Sequence, residues 1–269
     1  MEPALAQGAG DTVHAVFVDE RTRSTDDDLP QAGVYYTRVT GGQPGAVQRL
    51  DTGTPATLAA KLHNAWAPRI AARGRSVLVS WIDFLNYDWG VFSRQSSDGG
   101  GTFGSQIRVT DNTEGSAQQE ELADSPDPAL LPGPFVAWTD WRKRDSAQTK
   151  PHQEYDIYAA APGAPNRQVD PYGARQVSTF TPSACAAGHD ALVAFQDASG
   201  PQSVIRLVRV HSGKRKGRAQ RVDDGAAAAG DSWRPRLACS QGLATAVWES
   251  ERDGPTQIFA SVAGIRRLR

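Results

Sequence analysis

The sequence has little of what most chemistry-bearing folds advertise. Two cysteines among 269 residues are too few for a disulfide framework, and Cys185 and Cys239 lack the CxxC spacing of a zinc site. Both are expected as small buried thiols, a bridge requiring their α-carbons to come within about 7 Å. Neither sign of charge is in excess: 29 Lys and Arg stand against 30 Asp and Glu, so no global field recommends a nucleic acid or an anionic membrane as partner. No apolar run is long enough to span a bilayer, and the opening MEPALAQGAG has neither a basic nor an apolar leader region. A soluble chain follows, with its compartment undecided and secretion open only through a leader already removed. The Gly-rich stretch SSDGGGTF is no phosphate cradle, because FGSQIRV after it reads as strand where a nucleotide loop would open a helix. No cofactor is implied.

What the sequence does have is turn formers, tryptophan and repetition. Laid against itself, it shows five units of one design. Each opens on a proline and a small, apolar strand: PALAQ, PRIAA, PALLP, PSACA and PRLAC, at Pro3, Pro68, Pro128, Pro182 and Pro235. A second, strongly apolar strand ends in an aromatic residue and an acid, as in VLVSWID to Asp83, FVAWTDWR through Asp140 and ALVAFQD to Asp197. A third alternates with period two (GVYYTRV, GVFSRQS, VIRLVRV), and a short fourth follows a turn (VQRL, QIRV, RQV, AQRV, IRRL). Four strands per unit and no helical stretch predict an all-β, five-bladed β-propeller in one domain, with blades near 1–58, 59–115, 116–174, 175–227 and 228–269. Cys185 and Cys239 fall at matched places in the first strands of blades four and five. Closure is expected to rest on face-to-face packing of blades one and five, or on a flanking strand missing from this sequence.

SSDGGGTF then acquires a meaning. Ser96, Asp98, Gly100, Thr102 and Phe103 form a Ser-x-Asp-x-Gly-x-Thr-Phe pattern that resembles the Asp box of the bacterial-neuraminidase repeat, found in sialidases and sialidase-like propellers. Asp98 would accept backbone hydrogen bonds within its own turn, and Phe103 would pin the hairpin between sheets. The resemblance places the box between third and fourth strands, where this one falls, and implies a glycan as ligand. In sialidases a similar Asp-x-Arg stretch in the first repeat lines the site and supplies the catalytic acid; Asp19 and Arg21 match it here. The family's carboxylate-binding Arg-Ile-Pro is replaced by MEPALAQ, leaving Arg69 and Arg236 as the nearest substitutes, and no tyrosine follows Tyr172 to act as the late nucleophile.

A ligand is expected at the rim where first strands begin and second strands end. That rim collects Asp19, Arg21, His63, Asn64, Trp66, Arg69, Tyr87, Trp89, Trp141, Arg142, Asp231, Trp233 and Arg234. Aromatic faces beside acids and amides suit a sugar. Trp66, Trp89, Trp141 and Trp233 stand out because they do not recur at matched positions, whereas the Trp of each second strand is expected to pack between blades. Asp19, Glu120, Glu121 and Asp124 are the carboxylates available for glycoside hydrolysis, which needs a pair about 5 to 10 Å apart. His63 is a candidate base or metal ligand without a partner at ligand spacing, Asp26–Asp28 is a solvated run or a Ca²⁺ holder, and KRKGR at 214–218 is a basic hairpin tip. The expected function is glycan binding by a monomer, followed in rank by glycoside hydrolysis and by a protein-interaction scaffold.

Overall fold

The computed structural model describes residues 3–20, 32–51, 64–85, 88–111, 117–123, 135–142, 155–173, 178–211, 214–223, 230–240 and 242–265. They form five antiparallel sheets in chain order, the blades of a β-propeller. Blade one holds β1 (Ala4–Gln7), β2 (Thr12–Asp19), β3 (Gly33–Thr40), β4 (Gln43–Pro44) and β5 (Gln48–Arg49); blade two holds β6 (Asn64–Arg73), β7 (Ser76–Leu85), β8 (Asp88–Ser96) and β9 (Ile107–Arg108). Blade three is β10 (Ala117–Ala123), β11 (Phe135–Asp140), β12 (Asp156–Ala160) and β13 (Arg167–Gln168). Blade four is β14 (Thr179–Ala187), β15 (Asp190–Asp197), β16 (Val204–His211) and β17 (Lys214–Arg221). Blade five is described through β18 (Ser232–Ser240), β19 (Leu243–Ser250) and β20 (Gln257–Gly264).

The second and third strands fall where the alternation predicted them. In blade one the first strand follows its proline, Pro3, directly, as expected, but in blades two, four and five it begins earlier. Pro68, Pro182 and Pro235 lie inside β6, β14 and β18, each within a break in register. A proline has no N–H for a ladder, and a bulge is the place inside a sheet that does not ask for one. In blade three the first strand is AQQEELA at 117–123, upstream of the expected PALLP, which lies outside the described residues.

Each blade buries one face against the next. Val16, Val34, Tyr36 and Leu50 of blade one meet Ile70, Val79, Trp81 and Phe92 of blade two. Leu78, Ile82 and Val91 meet Val136, Trp138 and Tyr158, and Ala137, Ile157 and Val169 meet Val193, Phe195 and Val208. Trp81 and Trp138 are completely buried. At roughly 200 Å² each and ~25 cal/mol/Å², either ring contributes on the order of 5 kcal/mol. The packing role expected for the second-strand tryptophans is therefore what these two perform.

Blades four and five carry a covalent link. Cys185 in β14 and Cys239 in β18 form a disulfide with α-carbons 5.6 Å apart. This corrects the expectation of buried thiols. The two first strands lie in contact, with the Leu237 N–H donating to Ser183 Oγ, and the bridged positions are neighbours in space.

Among the described strands the face-to-face packing expected between blades one and five is not seen. Inner strands touch in series, β1 to β6, β6 to β10, β10 to β14 and β14 to β18, with no comparable contact from β18 to β1 among the described strands. Ile258 and Val262 on blade five and Leu5 on blade one are accordingly exposed at 71, 60 and 68 %.

Candidate functional site

The bulges in the first strands build the rim. Register shifts between Trp66 and Arg69, Phe180 and Ser183, and Trp233 and Arg236. Inside each shift the residue before the proline has a positive φ: Ala67 at 50°, Thr181 at 47° and Arg234 at 51°. Side-chain-bearing residues pay about 1–3 kcal/mol to sit there, and the same strained turn recurs in three blades. Its consequence is to present the aromatic residue two places before the proline at the rim. Trp66, Phe180 and Trp233 are thus structural equivalents, which corrects the expectation that Trp66 and Trp233 have no matched counterpart.

Each presented ring has aromatic or acidic company. Trp66 lies 4.1 Å from Trp89, and Trp89 lies 4.6 Å from Phe84. Phe180 lies 5.0 Å from Tyr155, which stacks at 6.0 Å on Trp141. The indole N–H of Trp233 donates to Glu249 Oε2 at 2.7 Å, and Arg234 Nη1 stands 3.3 Å from the same oxygen. All these rings are half-buried. Half-buried aromatic faces suit the apolar face of a sugar ring, and at Trp233 the polar groups of Glu249 and Arg234 stand beside the ring.

The acids ending the second strands have another occupation. Asp83, Asp140 and Asp197 are buried. The indoles of Trp81 and Trp138 donate to the carboxylates two residues on, at 3.4 and 2.8 Å. Arg142 binds Asp140 through Nη2 at 2.6 Å and Asp111 through Nη1 at 2.6 Å, and lies 4.1 Å over the Tyr158 ring. Asp197 accepts from Tyr172, Arg206 and the Ser199 backbone, and these bonds hold its pKa down against burial. Arg142 is thus engaged in a blade-to-blade tie, and Asp19 occupies the same strand position as these structural acids.

Blade five breaks the pattern. Ser250 stands where the other blades have Asp, and its acids are displaced by one residue to Glu249 and Glu251. Because strand side chains alternate faces, that displacement frees them from the buried position. Glu249 was missed as a site residue in the sequence, although WES against WID and WTD is a visible departure.

Of the remaining expected residues, Arg69 and Arg236 each fold back to donate to the preceding proline carbonyl at 3.1 Å. Asn64 accepts from the Ala32 backbone, and Asp231 accepts from the Ser203 backbone at 2.7 Å. Glu120 and Glu121 stand within β10, opposite Trp138 and Ala137, rather than in a loop ahead of it. Arg21, His63, Tyr87, Asp124 and Asp26–Asp28 lie outside the described residues. Among the described residues no cluster of His, Cys, Asp or Glu forms a metal site.

The Ser96–Phe103 turn lies at the opposite end of its blade. Asp98 accepts from Ser96 Oγ at 2.7 Å, Thr102 N at 3.0 Å and Thr102 Oγ1 at 2.7 Å. These donors, the Thr102 backbone foremost, hold its carboxyl well below the usual range. Phe103 meets Tyr36 of blade one edge-on at 4.8 Å, so the turn does pin two sheets together.

No protein-family model matches the sequence, and no curated protein matches it. Among solved structures the fold is similar to an α-L-arabinanase of Penicillium chrysogenum complexed with arabinobiose, at 11 % identity and a TM-score of 0.56, over 100 % of this chain and 78 % of that one. It is similar also to the GH93 α-L-arabinofuranosidase of Fusarium graminearum with arabinobiose, at 13 % identity and a TM-score of 0.53, over 99 and 77 % of the two chains. A GH43 endo-arabinanase of Bacillus licheniformis gives 12 % identity and a TM-score of 0.46 over 97 and 92 %. At such identities the likeness is one of fold: a propeller of the kind used by glycoside hydrolases.

Proposed function

We propose that the protein is a carbohydrate-active propeller that binds a glycan across the rim and hydrolyses a glycosidic bond within it. The observation that supports the reading is the threefold recurrence of a strained aromatic-x-Pro bulge, with Trp66, Phe180 and Trp233 at the matched position of their blades. Backbone strain of this kind clusters at ligand-binding surfaces, and its recurrence in three blades supports that role here. The sialidase-like reading of the Ser96–Phe103 turn and the fold shared with arabinan-cleaving enzymes both support a sugar. Glu249 is the carboxylate we assign to the rim, with Asp19, Glu120, Glu121 and Asp124 as the acids from which its partner would come.

A second reading, binding without hydrolysis, is favoured by the engagement of Asp83, Asp140 and Asp197 in structural bonds, which leaves few acids for chemistry. One panel separates the two. The protein is incubated with arabinan oligosaccharides, sialosides and a broad glycan array, and both retention and released sugar are measured. Retention with release supports hydrolysis, retention alone supports the second reading, and neither sinks both.

A further inference from the structure

The outer edge of blade four is a cationic surface unlike the rest of this nearly neutral chain. Seven of the sixteen residues at 206–221 are Lys or Arg and none is Asp or Glu. Arg206 and Arg221 are neutralised by Asp197 and Asp223. The others are not. Lys214, Arg215, Lys216 and Arg218 are exposed along β17, the outermost strand, and among the described residues Lys214, Arg215 and Arg218 form no ion pair. Among the described residues Asp190 is the carboxylate that faces this group, taking His211 at 2.7 Å, Arg209 at 3.6 Å and Lys216 at 3.9 Å. Arg167 of blade three is exposed on β13, which borders β17.

The patch has a shape as well as a charge. Register shifts between Leu207 and Arg209, and β17 bulges at Gly217, whose φ of 72° suits the turn. The bulge opens a small cleft lined by Leu207, Arg209, Lys216, Arg218 and Gln220. Three cations thus converge on one concavity midway along a strand about 27 Å long. We infer that this edge binds a linear anionic polysaccharide, its carboxylates or sulfates meeting the exposed side chains of β17.

Two other polyanions fit less well. Single-stranded nucleic acid is held by aromatic stacking, and β17 has no aromatic residue. An anionic membrane is gripped by apolar side chains beside the cations, whereas the exposed large hydrophobics, such as Leu5, Ile107, Ile258 and Val262, lie on other strands. The inference does not depend on the rim.

Binding of polygalacturonate, heparin, neutral arabinan and single-stranded DNA is measured by calorimetry between 50 and 200 mM salt. If four cations engage, affinity for polygalacturonate or heparin falls about 50-fold across that range. K214Q/K216Q/R218Q is expected to lose at least tenfold at low salt and to flatten the salt dependence. Asp190→Asn removes the carboxylate shared by His211, Arg209 and Lys216 and is expected to tighten binding severalfold, a gain that misfolding cannot imitate. The inference is overturned if the triple variant binds as the parent does, or if DNA binds as tightly as both charged polysaccharides.

Discussion

Removing the Cys185–Cys239 disulfide should cost the protein about as much as any single lesion outside its hydrophobic core. The bridge joins residues 54 apart and so encloses nearly all of blade four. Closing a loop of that length withdraws about 14 cal/mol/K from the unfolded chain, or about 4 kcal/mol at 25 °C. Unfolding 269 residues carries an entropy of about 0.56 kcal/mol/K at ~2.1 cal/mol/K per residue, so the midpoint should drop about 7 °C. The variant is C185A/C239A, which leaves no thiol to reoxidise, and the assay is scanning calorimetry beside the parent with and without reductant. Reduced parent and variant should melt together, both below the oxidised parent. Two titratable thiols in the unfolded, unreduced parent would refute the bridge, and a shift under about 2 °C would refute the loop-closure reasoning.

Other expectations follow from the repeat. The indole N–H of Trp248 is buried without a hydrogen-bond partner because Ser250 stands where its counterparts have Asp, while Arg252 lies over Phe259 at 3.7 Å much as Arg142 lies over Tyr158. Ser250→Asp should complete the missing pair and raise stability by about 1 kcal/mol in chemical denaturation; a loss would mean that blade five does not share the Trp-x-Asp geometry. A methyl group on Gly100 would overlap the Tyr36 hydroxyl at a φ of 79°, so Gly100→Ala should destabilise by about 2–4 kcal/mol, read as a fall in melting temperature. His14 is buried, with Nδ1 2.7 Å from the Tyr36 hydroxyl, and burial, then Arg38, lowers its pKa below 6.5. Its neutral form is the folded one, so its contribution is complete above pH 6.5 and is lost as pH falls through the folded pKa. Stability against pH for His14→Gln should lack that decline; an unchanged profile would assign the decline to other groups.

Much of the architecture was legible because strands with one buried face write period-two patterns, as in GVYYTRV and VLVSWID. What misled was the proline. It marks a bulge in the middle of the first strand, so taking it as a start displaced the rim residues from strand to loop. In blade three the first strand, AQQEELA, is polar and carries no pattern to find. Aligned on the proline instead, WAP, FTP and WRP would have revealed the shared aromatic position. The bridge between Cys185 and Cys239 needed a distance that matched positions alone do not supply. The open face on blade five was out of reach for a similar reason: Ile258, Ala260 and Val262 read as an ordinary packed strand.

The central claim is that the three bulged aromatics form one sugar-binding surface. Its most direct test is the affinity of the best glycan from the panel for the parent and for Trp66→Ala, Phe180→Ala and Trp233→Ala, each checked for an unchanged melting temperature. Stacked rings contribute on the order of 1 kcal/mol apiece, so each variant should bind about fivefold more weakly or worse. Unchanged affinity in all three, with the fold intact, would contradict the account.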